Sequence, residues 1–368
     1  MPFSSRLQRL YDLAARRRLT AVAVVPGPNM VYLTGLQFHL SERPTVALFA
    51  PGRAPAIILP ALEADKPDSA PFEMQKFTYT DEAGPGAAFG EACAALGLRG
   101  GALGVEGRRM RVLETQLLDE CAPGIRYEIA EPIIAQLRMK KDEAELALMR
   151  QAVDVAQRAL SATLPFIKAG LTEREIASEL QIQLLRAGTG EMPFQPIIAG
   201  GPNGALPHAF VTDRKVRPGD LITIDWGASH GGYFSDLTRT YALGEIDPEL
   251  RRAYDAVQQA NAAGRAAARP GATGQDVDRA ARTVIEKAGF GQYFTHRTGH
   301  GLGLEGHEEP DMKEGETMPL EPGMTFTVEP GVYIRGKSGA RIEDDMVITA
   351  DGAESLTTLP RDFTQLDG

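Results

Sequence analysis

Apolar residues recur along the first third of the chain in alternating helical and strand-like periods. Residues 5–17 carry the i, i+3, i+4 spacing of an amphipathic helix, residues 21–25 and 45–50 are apolar runs of strand length, and the Ala-rich stretch 84–96 predicts a second helix. This alternation predicts a modest α/β domain over residues 1–135. Neither a metal cluster nor a nucleophile motif falls within it, so a structural or gating role is expected.

The pattern changes after Glu131. Asp142 with Glu145 forms a capping box ahead of a long helix, whose inner face is Leu146, Met149, Val153, Ala156, Leu160 and Leu164 and whose expected stop is Lys168-Ala169-Gly170. Thr172 with Glu175 caps a second helix with Ile176, Leu180 and Leu184 facing inward. Gly271-Ala272-Thr273 repeats Gly170-Leu171-Thr172 at an offset of 101 residues (271 less 170). At that offset Asp276 meets Glu175, Val277 meets Ile176, Ile285 meets Leu184, and Ala288-Gly289 meets Ala187-Gly188. Both stretches run on into hairpin signals that carry two acids each. Residues 136–368 therefore read as one α+β domain built from two related halves.

In the first hairpin, Leu221, Thr223 and Asp225 alternate with Ile222, Ile224 and Trp226, which separates two strand faces. A turn centred on His230-Gly231 would set Asp225 opposite Asp236. In the second, Glu329 and Glu343 are symmetric about Gly336, although Pro330-Gly331 interrupts the strand. Any one such acid could be exposed, or be half of an ion pair with Arg239 or Arg341. Four acids in two related hairpins are another matter: opposed like charges destabilise a sheet, and buried carboxylates need partners or cations. One divalent ion leaves two of four negative charges uncompensated, whereas two neutralise the set. Paired divalent ions held by shared carboxylates are a known hydrolytic device. An oxygen-rich ligand set with one imidazole favours Mn²⁺ or Co²⁺, with Zn²⁺ also admissible. Of six histidines, His296, His300 and His307 fall close together, and His300, flanked by Gly299 and Gly301, is the candidate nitrogen ligand. Those glycines are expected to let it approach an ion closely. His39 and His230 read as surface or turn residues.

Composition narrows the classes. The chain has 368 residues, 43% hydrophobic and 24% charged, with net charge −10 and two cysteines. No apolar stretch reaches the ~20 residues of a membrane span. The acidic balance argues against a nucleic-acid partner, and two cysteines make no disulfide framework, so a cytoplasmic setting is expected. Arg16-Arg17-Arg18 before an apolar run mimics a signal peptide, but no small-residue cleavage site follows and Pro26-Gly27-Pro28 reads as a turn. Two further mimics fail. The string Gly301-Leu302-Gly303-Leu304-Glu305-Gly306 lacks the strand and helix of a dinucleotide site, and glycines beside His300 oppose a helical His296/His300 zinc pair.

With these residues assembled, nearly the whole chain resembles the pita-bread metallopeptidases, and within them the proline-specific branch of prolidase and aminopeptidase P. Ile224-Asp225-Trp226-Gly227-Ala228, Ser235-Asp236-Leu237-Thr238-Arg239-Thr240, Thr298-Gly299-His300-Gly301-Leu302-Gly303-Leu304, Thr327-Val328-Glu329-Pro330-Gly331 and Arg341-Ile342-Glu343-Asp344 look like its five ligand motifs. The resemblance implies a creatinase-like α/β N-terminal domain and a pita-bread catalytic domain with an internal pseudo-twofold. It implies Asp225, Asp236, His300, Glu329 and Glu343 as metal ligands. His208, in Asn203-Gly204-Ala205-Leu206-Pro207-His208, and His307 match its substrate histidines, and His296 and Arg341 match residues bordering the proline pocket. The implied reaction is hydrolysis of an Xaa-Pro bond, with Glu329 shuttling the proton and His208 and His307 stabilising the oxyanion. Proline-containing peptides or dipeptides are the implied substrates, and a homodimer is the common family state. Dipeptide against longer peptide stays open, since the surface that closes the site beyond proline is not legible. A methionine aminopeptidase-like enzyme would lack an N-terminal domain of this kind, and a non-catalytic binding protein on the fold would have lost ligands.

Overall fold

The computed structural model describes residues 2–366. The chain forms two compact units, Met1–Arg138 and Met139–Gly368. The expected boundary at 135 lies inside the helix Glu131–Arg138, which buries Ile133, Ile134 and Leu137.

The first unit is built on a six-stranded sheet in the order Gln75–Tyr79, Ala56–Pro60, Val46–Phe49, Ala21–Val24, Ala102–Val105, Arg126–Ile129. Strand Ala21–Val24 is buried throughout and pairs antiparallel to Val46–Phe49 and parallel to Ala102–Val105, as a continuous apolar run in mid-sheet should. Helix Phe3–Arg16 buries Leu7, Leu10 and Ala14, and Gly86–Leu96 buries Phe89, Ala92 and Cys93.

The second unit repeats one plan. Helices Glu143–Thr163 and Glu173–Ala187 pack together in its first half, and Pro248–Ala267 and Gly274–Lys287 in its second. The capping boxes at Asp142/Glu145, Thr172/Glu175 and Thr273/Asp276 are all formed. Thr172 bridges to Lys215 and Thr273 to Pro319, so the repeat extends into long-range pairing. The long helix stops at Thr163, earlier than expected, and passes into a 3₁₀ turn, Leu164–Phe166, that contains Pro165. A proline there cannot supply the N–H that the α-helical ladder needs.

Each half contributes a sheet. The four-stranded sheet includes Leu221–Trp226 beside Leu237–Leu243, and the five-stranded sheet places Gly299–Gly301 beside Thr325–Val328, with Asp344–Ile348 next. Ile222, Ile224 and Trp226 sink into the core formed by the first helix pair, and the Trp226 indole N–H donates to Ala156 O at 2.9 Å. Asp225 is thereby directed to the opposite face. Hairpin Gly331–Ile334/Ser338–Arg341 packs Val332, Ile334 and Ala340 against the second helix pair. An isolated bridge, Thr238 to Glu343, sews the two sheets together at the site.

Candidate metal centre

The first acidic hairpin differs in register from expectation. Asp225 lies opposite Thr238, not Asp236, and Tyr233 lies opposite His230. The turn is therefore Gly231-Gly232, with φ of 57° and 84°. A two-residue turn matching strand twist needs positive φ at both central positions, which the glycines accept and His230 would resist. The partner slips by two residues, so Asp225 and Asp236 keep one face and become diagonal neighbours. The second hairpin keeps the register centred on Gly336. Val328 pairs with Asp344 and Gly331 with Arg341, so Glu329 and Glu343 face each other across the break at Pro330.

The two hairpins and the Gly299–Gly301 strand converge. Ligand atoms of Asp236, His300 and Glu343 all lie within 4.8 Å of one another, and all three residues are buried. His300 Nε2 is 3.7 Å from Asp236 Oδ2 and 3.4 Å from Glu329 Oε1. His300 Nδ1 lies 3.0 Å from Gly301 O, a contact that requires the proton on Nδ1 and leaves the Nε2 lone pair facing the acids. The flanking glycines serve the neighbouring strands, not the close approach of an ion: a Cβ on Gly299 would meet Thr327 O at 1.9 Å, and one on Gly301 would meet Glu309 O at 2.4 Å.

Asp225 stands slightly apart. Its Oδ2 accepts from Arg341 Nη2 at 2.5 Å, while its Oδ1 is buried with no hydrogen-bond partner among the described residues. The ion-pair alternative is thus realised for one oxygen only. Arg341 also donates to Thr238 Oγ1, Tyr333 OH and Pro207 O, so its guanidinium is spent on holding the site wall. Arg239 is not the partner of the hairpin acids; it pairs with Asp344 at 2.8 Å and donates to Glu343 O, locking the second hairpin from behind.

The electrostatics are those of acids waiting for cations. Burial, followed by Glu343, Asp225 and Glu329, pushes the Asp236 carboxyl well above its usual range, and burial with Glu329 and Asp225 does the same to Glu343. Glu329 is raised by burial to about 7, and Asp225 is raised by burial against the pull of Arg341. Burial and the neighbouring His307 hold His300 well below its usual value, keeping it neutral and able to coordinate. An orphaned buried carboxylate oxygen, four crowded acids and one neutral imidazole form a hard, oxygen-rich donor set that fits divalent cations.

The histidines expected to meet substrate are arranged around this cluster. The His307 ring lies 4.0 Å from that of His300. His296 Nε2 contacts Tyr333 OH at 2.8 Å, and burial lowers its pKa to about 4. His208 is exposed on the turn after Pro207.

Several site-building residues were missed in the sequence. Thr238 donates to Glu343 Oε2 at 2.6 Å and accepts from Arg341, and Asp345 accepts the Asp236 N–H at 3.2 Å. Strand alternation was the available signal, because Thr238 shares a face with Asp236 and Asp345 with Glu343. Glu173 had none: it sits beside a helix cap, where an acid is ordinary.

Known proteins match the chain over nearly its whole length. The model of metallopeptidase family M24 matches residues 147–350, and that of the creatinase/prolidase N-terminal domain matches residues 6–140. The dipeptidase PepE of Mycobacterium ulcerans is 34% identical with a TM-score of 0.92, covering 100% of this chain and 98% of its own. A prolidase from Thermococcus sibiricus is 31% identical with a TM-score of 0.94, over 100% of both chains. An Xaa-Pro dipeptidase from Bacillus anthracis is 29% identical with a TM-score of 0.91, covering 99% of this chain and 100% of its own. Among the described residues no helix is long and apolar enough to cross a membrane.

Proposed function

The chain belongs to metallopeptidase family M24, and on that premise we propose that it is an exopeptidase that cleaves the bond before proline, with Xaa-Pro dipeptides as its preferred substrates. The observation that carries the reading is the convergence of Asp236, His300 and Glu343 within 4.8 Å, with Glu329 and the half-partnered Asp225 beside them. Kinship with proteins named dipeptidase and prolidase supports the dipeptide preference over longer peptides.

Asp225, Asp236, His300, Glu329 and Glu343 would hold two divalent ions, Mn²⁺ or Co²⁺ by their oxygen-rich character. When bound, such ions supply Lewis-acid polarisation of the scissile carbonyl and ionise water near neutral pH. Glu329 takes the proton from the attacking water and returns it to the leaving imino nitrogen, a role suited to a carboxyl beside His300. His208 and His307 bind the carbonyl oxygen and stabilise its developing charge. His296 borders the proline ring, with its orientation fixed by Tyr333. Arg341 keeps Asp225 aimed into the centre. The active species is proposed to be a homodimer.

The test is a side-by-side assay of an Xaa-Pro dipeptide and an Xaa-Pro tripeptide with Mn²⁺ or Co²⁺ added. Metal-dependent turnover that favours the dipeptide supports the reading. Equal or better turnover of the tripeptide would move the assignment to aminopeptidase P, and turnover of neither would refute Xaa-Pro specificity.

A further inference from the structure

Glu173 has no part in the metal cluster, yet it is a fully buried acid with 0% exposure. It is not needed as a cap, because Thr172 and Glu175 already close the start of its helix. Its oxygens reach out of the helix instead. Oε1 accepts from the Gly200 N–H at 2.8 Å and from Asn203 Nδ2 at 3.0 Å. Oε2 accepts from the Thr212 N–H at 3.0 Å and from Thr212 Oγ1 at 2.6 Å. Burying a carboxylate is costly unless its oxygens are satisfied, and here each oxygen has at least two donors. What the acid achieves is to tie residue 200 to residue 212, the two stems of one loop.

Between those stems the chain is pinned once more, where Pro207 O accepts from Arg341 Nη1 at 3.2 Å. Gly204 lies so close to the second hairpin that a Cβ on Gly339 would meet its carbonyl at 2.1 Å. The tip is nonetheless bare: Leu206 is 59% exposed, Phe210 is 90% exposed, and His208 stands between them. The second half of the unit uses a parallel device. Buried Asp278, on the helix equivalent to that of Glu173, accepts from the Thr298 N–H at 3.1 Å and from Thr298 Oγ1 at 2.8 Å, fixing the segment that bears His296 and His300.

We propose that Glu173 is a positioning residue for the peptidase reaction, anchoring both stems of the 201–211 loop so that His208 is presented to substrate in one fixed place. The inference rests on the Xaa-Pro peptidase reading for the role of His208.

The experiment compares Glu173→Gln, Thr212→Val and His208→Ala in the full-length, Mn²⁺-loaded protein. Glutamine turns an NH₂ group toward donors that need an acceptor, and valine removes the Thr212 hydroxyl, which donates to Glu173 and accepts from Asn203 Nδ2 and the Arg214 N–H, while leaving Glu173 in place. Both are expected to speed amide exchange across residues 201–211, and Glu173→Gln to lower kcat/KM on an Xaa-Pro dipeptide by about tenfold, with metal content unchanged. In the His208→Ala background Glu173→Gln should cost less than about twofold more, because the residue it positions is gone. Unchanged loop exchange, or losses that multiply in the double variant, would overturn the inference. Should Glu173→Gln fail to fold, Thr212→Val carries the same readouts, including the pairing with His208→Ala. A wild-type enzyme inert to every Xaa-Pro peptide overturns the peptidase reading itself, whereas an active wild type with multiplying losses overturns only the role of Glu173.

Discussion

Removing the cations should make the protein sensitive to alkali in a pH range where most proteins are indifferent. In the cation-free chain, burial carries the Glu329 carboxyl from 4.5 to about 7. Between those values the folded state binds more protons than the unfolded one, so stability falls as pH rises through that window. For Glu329 alone the loss corresponds to roughly 3 kcal/mol. Asp236 and Glu343, both pushed well up by burial and by neighbouring acids, act in the same direction. His296, His300 and His307, held low chiefly by burial, act oppositely, but only until pH passes their unfolded value of about 6.5, so above pH ~7 the acids decide the sign. Acids held low, such as Glu175 and Asp276 bonded to their capping threonines, lose stability only as pH falls through their depressed values, so above pH ~5.5 they contribute a constant. Thermal unfolding of EDTA-treated protein should therefore give a Tm at pH ~8.5 below that at pH ~7 by on the order of a few °C. Saturating Mn²⁺ should abolish most of that difference, because the cations supply the charge that protons otherwise must. A cation-free Tm that is flat or rises between those two pH values would refute the claim that these acids are crowded in a dry cluster.

Three further outcomes follow from the same geometry. Asp236→Asn should abolish metal-dependent turnover and lower bound metal by inductively coupled plasma analysis; near-normal activity would remove Asp236 from the ligand set. Arg341→Met strips the Asp225 carboxylate of its only hydrogen-bond donor among the described residues and should destabilise the cation-free protein by about 3–5 kcal/mol in urea titration, with Mn²⁺ restoring part of the loss. Gly299→Ala forces a methyl to within 1.9 Å of Thr327 O and should prevent soluble folding, while Gly306→Ala, with nothing within 4 Å, should stay within about 0.5 kcal/mol of wild type by the same titration.

The residues that carry chemistry were legible because their burden is local. A capping box, an alternating strand and an acid amid apolar neighbours are properties of a few adjacent residues, and an internal repeat compares such stretches with each other. From these the two-half plan, the buried strands of the first unit and the acid–histidine set could all be read, together with the family they resemble. Register was already less secure. The Gly336 hairpin kept its symmetry through a broken strand, whereas the Gly231-Gly232 turn shifted the partner of Asp225, because positive φ at two positions outweighed simple centring.

What tertiary structure alone decided is which groups distant in the chain share space. The capture of Asp225 by Arg341, the relay of Thr238 to Glu343 and the reach of Glu173 to both stems of the His208 loop each join residues far apart in the chain. Hydrogen bonds and desolvation depend on distances of a few ångströms in space. A linear pattern specifies which side chains are turned inward; only the packing of the folded chain fixes what each of them finds there.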